Sequence, residues 1–105
     1  MYRSLVNPPF SATSTVVAVK EQVSCDLNGE TAILQLDRGM YYGLDPVGAR
    51  VWTLIQEPRT VADLGRLLMQ EYDVAEDRLQ ADLLALLQDL REHQLVTVVP
   101  ASELD

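Results

Sequence analysis

Two side chains in this 105-residue sequence have the chemistry of a nucleophile and its base, and each type occurs once: Cys25 and His93. A thiol–imidazole pair also needs a third group that orients the base, and nothing in the spacing supplies one. Cys25 falls in a strand-like run, where a lone cysteine behaves as a small buried hydrophobe. His93 falls near a helix end, where a cation complements the helix dipole. One histidine and one cysteine are too few for a zinc site, and a single cysteine forms no intrachain disulfide. Acids are abundant, sixteen against eight Lys and Arg, yet no stretch has the spacing of a calcium loop. Asp73, Glu76 and Asp77 stand where helix starts favour acids. Gly39 and Gly43 suit a turn and a close backbone approach, not the cradling of a phosphate. The residues therefore argue against an enzyme, a metal site and a nucleotide site, and no cofactor is expected. A small hydrolase subunit using Cys25 is the enzymatic alternative.

Charge narrows the partners. The formal net charge is -8. From Asp63 onward ten acids face three bases (Arg66, Arg78 and Arg91), which places -7 of it in this segment. Nucleic-acid binders need cations to displace phosphate counterions, and anionic membrane surfaces ask for the same sign. Neither nucleic acid nor membrane is an expected partner. The surface reads as acidic and soluble, with a mild preference for basic peptides. No signal-like start and no apolar run of about 20 residues is present. The lone cysteine fits a reducing compartment, so a cytoplasmic location is expected.

The elements that would position these residues fall into two blocks. Residues 1–14, with Pro8, Pro9, Ser11, Thr13 and Ser14, read as an irregular arm. Residues 15–20 carry three valines and read as a first strand. Residues 23–27 and 30–36 flank Asn28-Gly29, the signature of a type I′ hairpin. In the second arm Ala32, Leu34 and Leu36 share an apolar face, with Thr31 and Gln35 on the other. Ile33 breaks the alternation and predicts that this outer face is partly covered. After the turn Asp37-Arg38-Gly39, Met40 to Leu44 is a short aromatic-rich strand. The first 45 residues thus predict an antiparallel sheet of three strands, or four if the first joins it.

At Asp45 the period changes from two to 3.6. Asp45 can cap a helix, and Pro46 suits its first turn. Val47, Val51, Trp52, Leu54 and Ile55 form its stripe, with Trp52 as core, and Pro58 ends it. Thr60 with Asp63 is a weak capping box for a second helix reaching about Tyr72, apolar at Val61, Leu64, Leu67 and Leu68. A third helix, from about Ala75 to His93, places Leu79, Leu83, Leu86, Leu87 and Leu90 on one stripe and Leu84 off it. Residues 95–99 are extended and 100–105 a frayed tail. The predicted class is α+β, winged helix-turn-helix-like, with an N-terminal three-stranded antiparallel sheet followed by three helices.

One stretch is distinctive. The run Gly39-Met40-Tyr41-Tyr42-Gly43-Leu44-Asp45-Pro46-Val47-Gly48-Ala49-Arg50-Val51-Trp52 closely resembles the strand-to-helix junction of PqqD-like proteins, particularly those of lasso-peptide biosynthesis. The family pattern is roughly Gly-x-Tyr-Tyr-x-Leu-Asn-x-x-Gly-x-x-Ile-Trp. Asp45 stands for the usual Asn and keeps a capping side chain; Val51 stands for Ile and stays β-branched. Glu57-Pro58-Arg59-Thr60-Val61 is similar to the family's turn into the second helix. Tyr72-Asp73-Val74 followed by Asp82-Leu83 is similar to the start of the third. Glu92-His93-Gln94-Leu95-Val96 departs from it, because relatives commonly carry Gly where Gln94 stands. The resemblance covers about residues 15–99, taken as the domain between arm and tail.

The resemblance implies a non-catalytic bacterial protein that recognises the leader of a ribosomally made precursor peptide. In lasso-peptide systems such a free-standing protein hands the precursor to a transglutaminase-like cysteine protease, the leader peptidase, and an ATP-dependent cyclase closes the macrolactam ring. The physical route is β-augmentation, an extended leader pairing with the open edge of Met40 to Leu44. Gly43 would admit the guest backbone, and Tyr41 or Tyr42 would wall an apolar slot. Leu79, Leu83, Leu86 and Leu87 would form its floor, and Arg78 or Asp82 its rim. Family likeness implies leader anchors such as Tyr, Pro and Leu. The alternative is a winged-helix transcription regulator. Its recognition helix should be basic, whereas the third helix has Arg78 and Arg91 against five acids.

Overall fold

A computed structural model of the protein describes residues 10–27, 30–36 and 38–99. The Asn28-Gly29 turn, Asp37, residues 1–9 of the arm and the tail 100–105 lie outside the described residues. The elements run β1 (Thr15–Ala18), β2 (Gln22–Leu27), β3 (Glu30–Gln35), β4 (Met40–Leu44), α1 (Pro46–Leu54), β5 (Arg59–Thr60), α2 (Val61–Glu71), α3 (Glu76–Glu92) and β6 (Val96–Val99).

The expected three-stranded antiparallel sheet forms in the order β2-β3-β4. The first strand does not join it. β1 lies between β5 and β6 in a second three-stranded sheet, pairing Thr15 with Thr60 on one side and Thr15 to Ala18 with Val99 to Val96 on the other. Its C-terminal end is tied to the segments that follow α1 and α3, Ala18 N–H donating to the Ile55 carbonyl at 2.8 Å and Val19 N–H to that of Leu95 at 2.9 Å. These partners are distant in sequence, so local patterning carries no sign of them. Among the described residues, no helix is long and apolar enough to cross a membrane.

The faces of β3 depart from the expectation at Leu34 and Leu36, although the small Ala32 beside them is buried. Register sets Ile33 opposite Tyr42 and Leu34 opposite Tyr41. Ile33 is fully buried, whereas Leu34 and Leu36 are 40% and 55% exposed. The face turned to the helices therefore holds Thr31, Ile33 and Gln35. Gln35 is buried because its polar groups are met: its amide donates to the Gln94 carbonyl and its side-chain oxygen accepts from Arg38 N–H, both at 3.1 Å. The outer face carries Val23, Leu34 and Tyr41 in one cross-strand row and Cys25, Ala32 and Gly43 in the next. Cys25 is consequently exposed, which corrects its reading as a buried hydrophobe.

Helix ends follow the capping logic. The Asp45 carboxylate accepts from Gly48 N–H at 2.8 Å, and the Thr60 hydroxyl accepts from Asp63 N–H at 3.0 Å. α3 starts from Ala75 without a side-chain cap. It ends at His93, where Gln94 takes the left-handed conformation at φ 61. Glycine is the easiest residue there, and Leu95 N–H still closes onto the Leu90 carbonyl at 2.9 Å. The motif departure at Gln94 thus leaves the cap geometry intact. The core gathers Ile33 and Leu44 from the first sheet, Val16 and Val96 from the second, and Val51, Trp52, Leu64, Leu68, Leu83, Leu87 and Leu90 from the helices. The class is α+β with winged-helix order.

Candidate functional site

β4 is the outermost strand of its sheet, so one of its backbone edges has no partner among the described strands. Its faces divide by alternation. Tyr42 and Leu44 turn toward the helices; Tyr41, 67% exposed, and Gly43 turn outward. A Cβ built on Gly43 meets nothing within 4 Å.

α3 runs beside this strand and is fastened to it at one point. The Tyr42 hydroxyl donates to the Asp89 carboxylate. The Tyr42 ring meets His93 edge-on, centroids 5.0 Å apart. His93 Nδ1 lies 2.8 Å from the Asp89 carbonyl oxygen, a contact that requires Nδ1 to carry the hydrogen. Burial, then the hydrogen bond to Asp89 and its charge, push the Tyr42 hydroxyl from 10.0 up to about 12. A folded-state pKa above the unfolded one means that the protonated hydroxyl stabilises the fold. That contribution is whole below pH 10 and disappears as pH climbs toward 12. Over that interval the unfolding free energy of the wild type is expected to fall more steeply than that of Tyr42→Phe, measured by urea denaturation. Equal slopes would mean the phenol is not coupled to folding.

Between α1, the end of α2 and the first half of α3 lies a mainly apolar cleft of about 290 Å³. Of the anticipated residues, Leu79, Leu83 and Leu86 line it, with Arg78 and Asp82 also on its wall. Arg78 and Asp82 are 3.9 Å apart and largely exposed, a weak pair in water. A shallower hollow continues along α3 between Tyr42, Leu86 and Asp89. Leu86 lines both, and we call cleft and hollow together the trough.

Other anticipated residues stand apart from the trough. Leu87 is fully buried in the core and Leu44 nearly so. Met40 and Tyr41 are exposed on the strand itself. Sequence reasoning had not assigned Val47, Gly48, Val51, Leu68, Tyr72 or Val74 to the site, yet all line the cleft. One signal was available: the junction motif runs through Val47 and Gly48, and Gly48 is packed so closely that an added Cβ would lie 3.1 Å from the Leu44 side chain. Beside the cleft Arg50 grips Glu71 through two nitrogens at 2.8–3.1 Å, clamping α1 to α2. Arg50 holds the Glu71 carboxyl below the usual carboxylate range. Among the described residues no group of three or more His, Cys, Asp or Glu is placed to hold a metal ion.

A family model described as coenzyme PQQ synthesis protein D (PqqD) matches residues 30–96. The chain belongs to the PqqD family. The match begins at β3 and ends in β6, so the candidate strand, the trough and the junction motif all lie inside the PqqD region. Among solved structures, TbiB1 in complex with the TbiA(beta) leader peptide is 30% identical with a TM-score of 0.70, over 76% of this chain and 93% of that one. A lasso peptide synthetase B1 complexed with the leader peptide is 21% identical at TM-score 0.69, over 78% and 96%. The solution structure of the PqqD truncation of Methylobacterium extorquens PqqCD, described as a functional and stand-alone RiPP recognition element, is 20% identical at TM-score 0.70, over 84% and 94%. The last two speak for the PqqD fold alone. None of the curated proteins matches this chain.

Proposed function

We propose that this PqqD-family protein captures the leader of a ribosomally synthesised precursor, of the lasso-peptide kind, by adding it as a fourth strand to β4. The observation that carries this reading is the open β4 edge beside an apolar trough on α3. Backbone pairing supplies affinity that depends little on sequence, and side chains entering the trough supply selectivity. Met40, Tyr41, Tyr42, Gly43 and Leu44 present the edge. Leu79, Leu83, Leu86 and Leu87 build and back the floor, and Arg78 and Asp82 set polarity at the mouth. The 30% identity to TbiB1, whose solved complex holds a leader peptide, supports the reading.

The role is presentation without catalysis. The bound precursor passes to a transglutaminase-like cysteine protease that removes the leader, and to an ATP-dependent macrolactam cyclase. Residues 15–99 carry the activity, in the bacterial cytoplasm. The test is a fluorescence-polarisation titration with a labelled lasso-precursor leader, that of the TbiB1 complex first and any precursor found in a neighbouring reading frame next. Saturable binding is expected with Kd between about 1 nM and 1 µM, roughly -12 to -8 kcal/mol. No saturation at tens of micromolar, on the order of -6 kcal/mol or weaker, would overturn the proposal.

A further inference from the structure

β2 forms the opposite margin of the first sheet. It pairs with β3 without interruption from Gln22 to Leu27, and among the described strands nothing pairs with its far side. Val23, Ser24, Cys25 and Asp26 are all exposed. Edge strands are ordinarily blunted by a lysine, a proline, a bulge or a mid-strand charge. The run Gln22-Val23-Ser24-Cys25-Asp26 has no lysine, proline or bulge, and its one charge stands at the end of the run.

The strand is also complementary to itself. Set antiparallel to a second copy about Ser24, it places Gln22 opposite Asp26, an amide donor against a carboxylate. Val23 falls opposite Cys25, both on the outer face, and Ser24 meets Ser24. Other registers are poorer. Centring on Asp26 opposes two carboxylates, and centring on Cys25 sets Asp26 against Ser24 and leaves Gln22 beyond the strand. A half-step slip sets Val23 against Asp26 and swaps the faces. In the favoured register the exposed row Tyr41–Leu34–Val23 of one copy runs on into Cys25–Ala32–Gly43 of the other.

From this geometry we infer that the β2 edge is a self-association surface, through which two copies join about Ser24 into one six-stranded sheet. The contact is weak. Five paired residues cover less than the roughly 800 Å² per partner of a stable complex, and two chains of charge -8 repel each other until salt screens them. Both β4 edges stay at the outer ends of the joined sheet, so guest binding and self-association do not compete.

Sedimentation equilibrium of the full chain, from about 10 µM to 1 mM, tests this. The dimer fraction is expected to rise with concentration and with salt. Ser24→Asp, which opposes two carboxylates at the dyad, is expected to weaken the dimer about tenfold or more. A second arm uses Val23→Cys treated with diamide. Its introduced thiol faces Cys25 of the other copy, and a covalent dimer is expected that Val23→Cys/Cys25→Ser does not form. All three positions are exposed, and circular-dichroism melts check that each variant folds. A monomer at every concentration, a Ser24→Asp dimer as strong as the wild type's, or equal cross-linking of the two cysteine variants overturns the inference.

Discussion

Leu87→Ala is expected to lower the unfolding free energy by about 2–5 kcal/mol. Leu87 is 0% exposed and sits in the core that joins α3 to the first sheet and to α1. The loss has two parts, the transfer free energy of the removed carbons and the cavity left when packed neighbours fail to close in. A domain of this size has roughly 5–15 kcal/mol in total, so this one change removes a large share. The melting temperature should fall by about 10 °C or more, and the urea midpoint should fall with an unchanged m-value. Because Leu87 lines neither part of the trough, leader affinity of the folded protein should stay within about twofold, under 0.5 kcal/mol. A small stability loss combined with weakened binding would instead put Leu87 on the guest surface.

Leu86→Glu is expected to do the reverse. Leu86 is half-buried and is shared by the cleft and the hollow beside Tyr42. A carboxylate there removes an apolar contact and places a charge between Asp82 and Asp89, where a guest strand would have to desolvate it. Truncating or charging a central contact of this kind costs about 2 kcal/mol or more, a loss of about 30-fold or greater in leader affinity. Stability should fall less than in Leu87→Ala, because Leu86 is only half-buried at the margin of the core. Leu86→Met should keep affinity within a few-fold. Unchanged affinity in Leu86→Glu would move the guest away from this trough.

The two leucines are neighbours on a single stripe, and the pattern along α3 does not separate them. Helical spacing reports that a side chain lies on the apolar side of its helix; whether it meets core or cleft depends on which element packs above it. Val47 makes the same point from the other side. It belongs to the apolar stripe of α1, yet it is partly exposed and lines the cleft. β3 shows how far alternation can mislead: Ala32, Leu34 and Leu36 look like the core face, but Ile33 and Gln35 turn to the helices, Leu34 and Leu36 are exposed, and of the three only the small Ala32 is buried.

Local chemistry in the chain was enough for the three helices, the caps of the first two, the change of period at Asp45 and the antiparallel first block. Each of these rests on interactions within a few residues, such as a carboxylate reaching an N–H three positions on or an apolar stripe repeating every turn. The pairing of β1 with β6, the outward turn of Cys25 and the cleft closed by α1 and α2 needed the folded chain. They depend on contacts between segments far apart in sequence, whose energies come from register and packing. No window of sequence contains both partners.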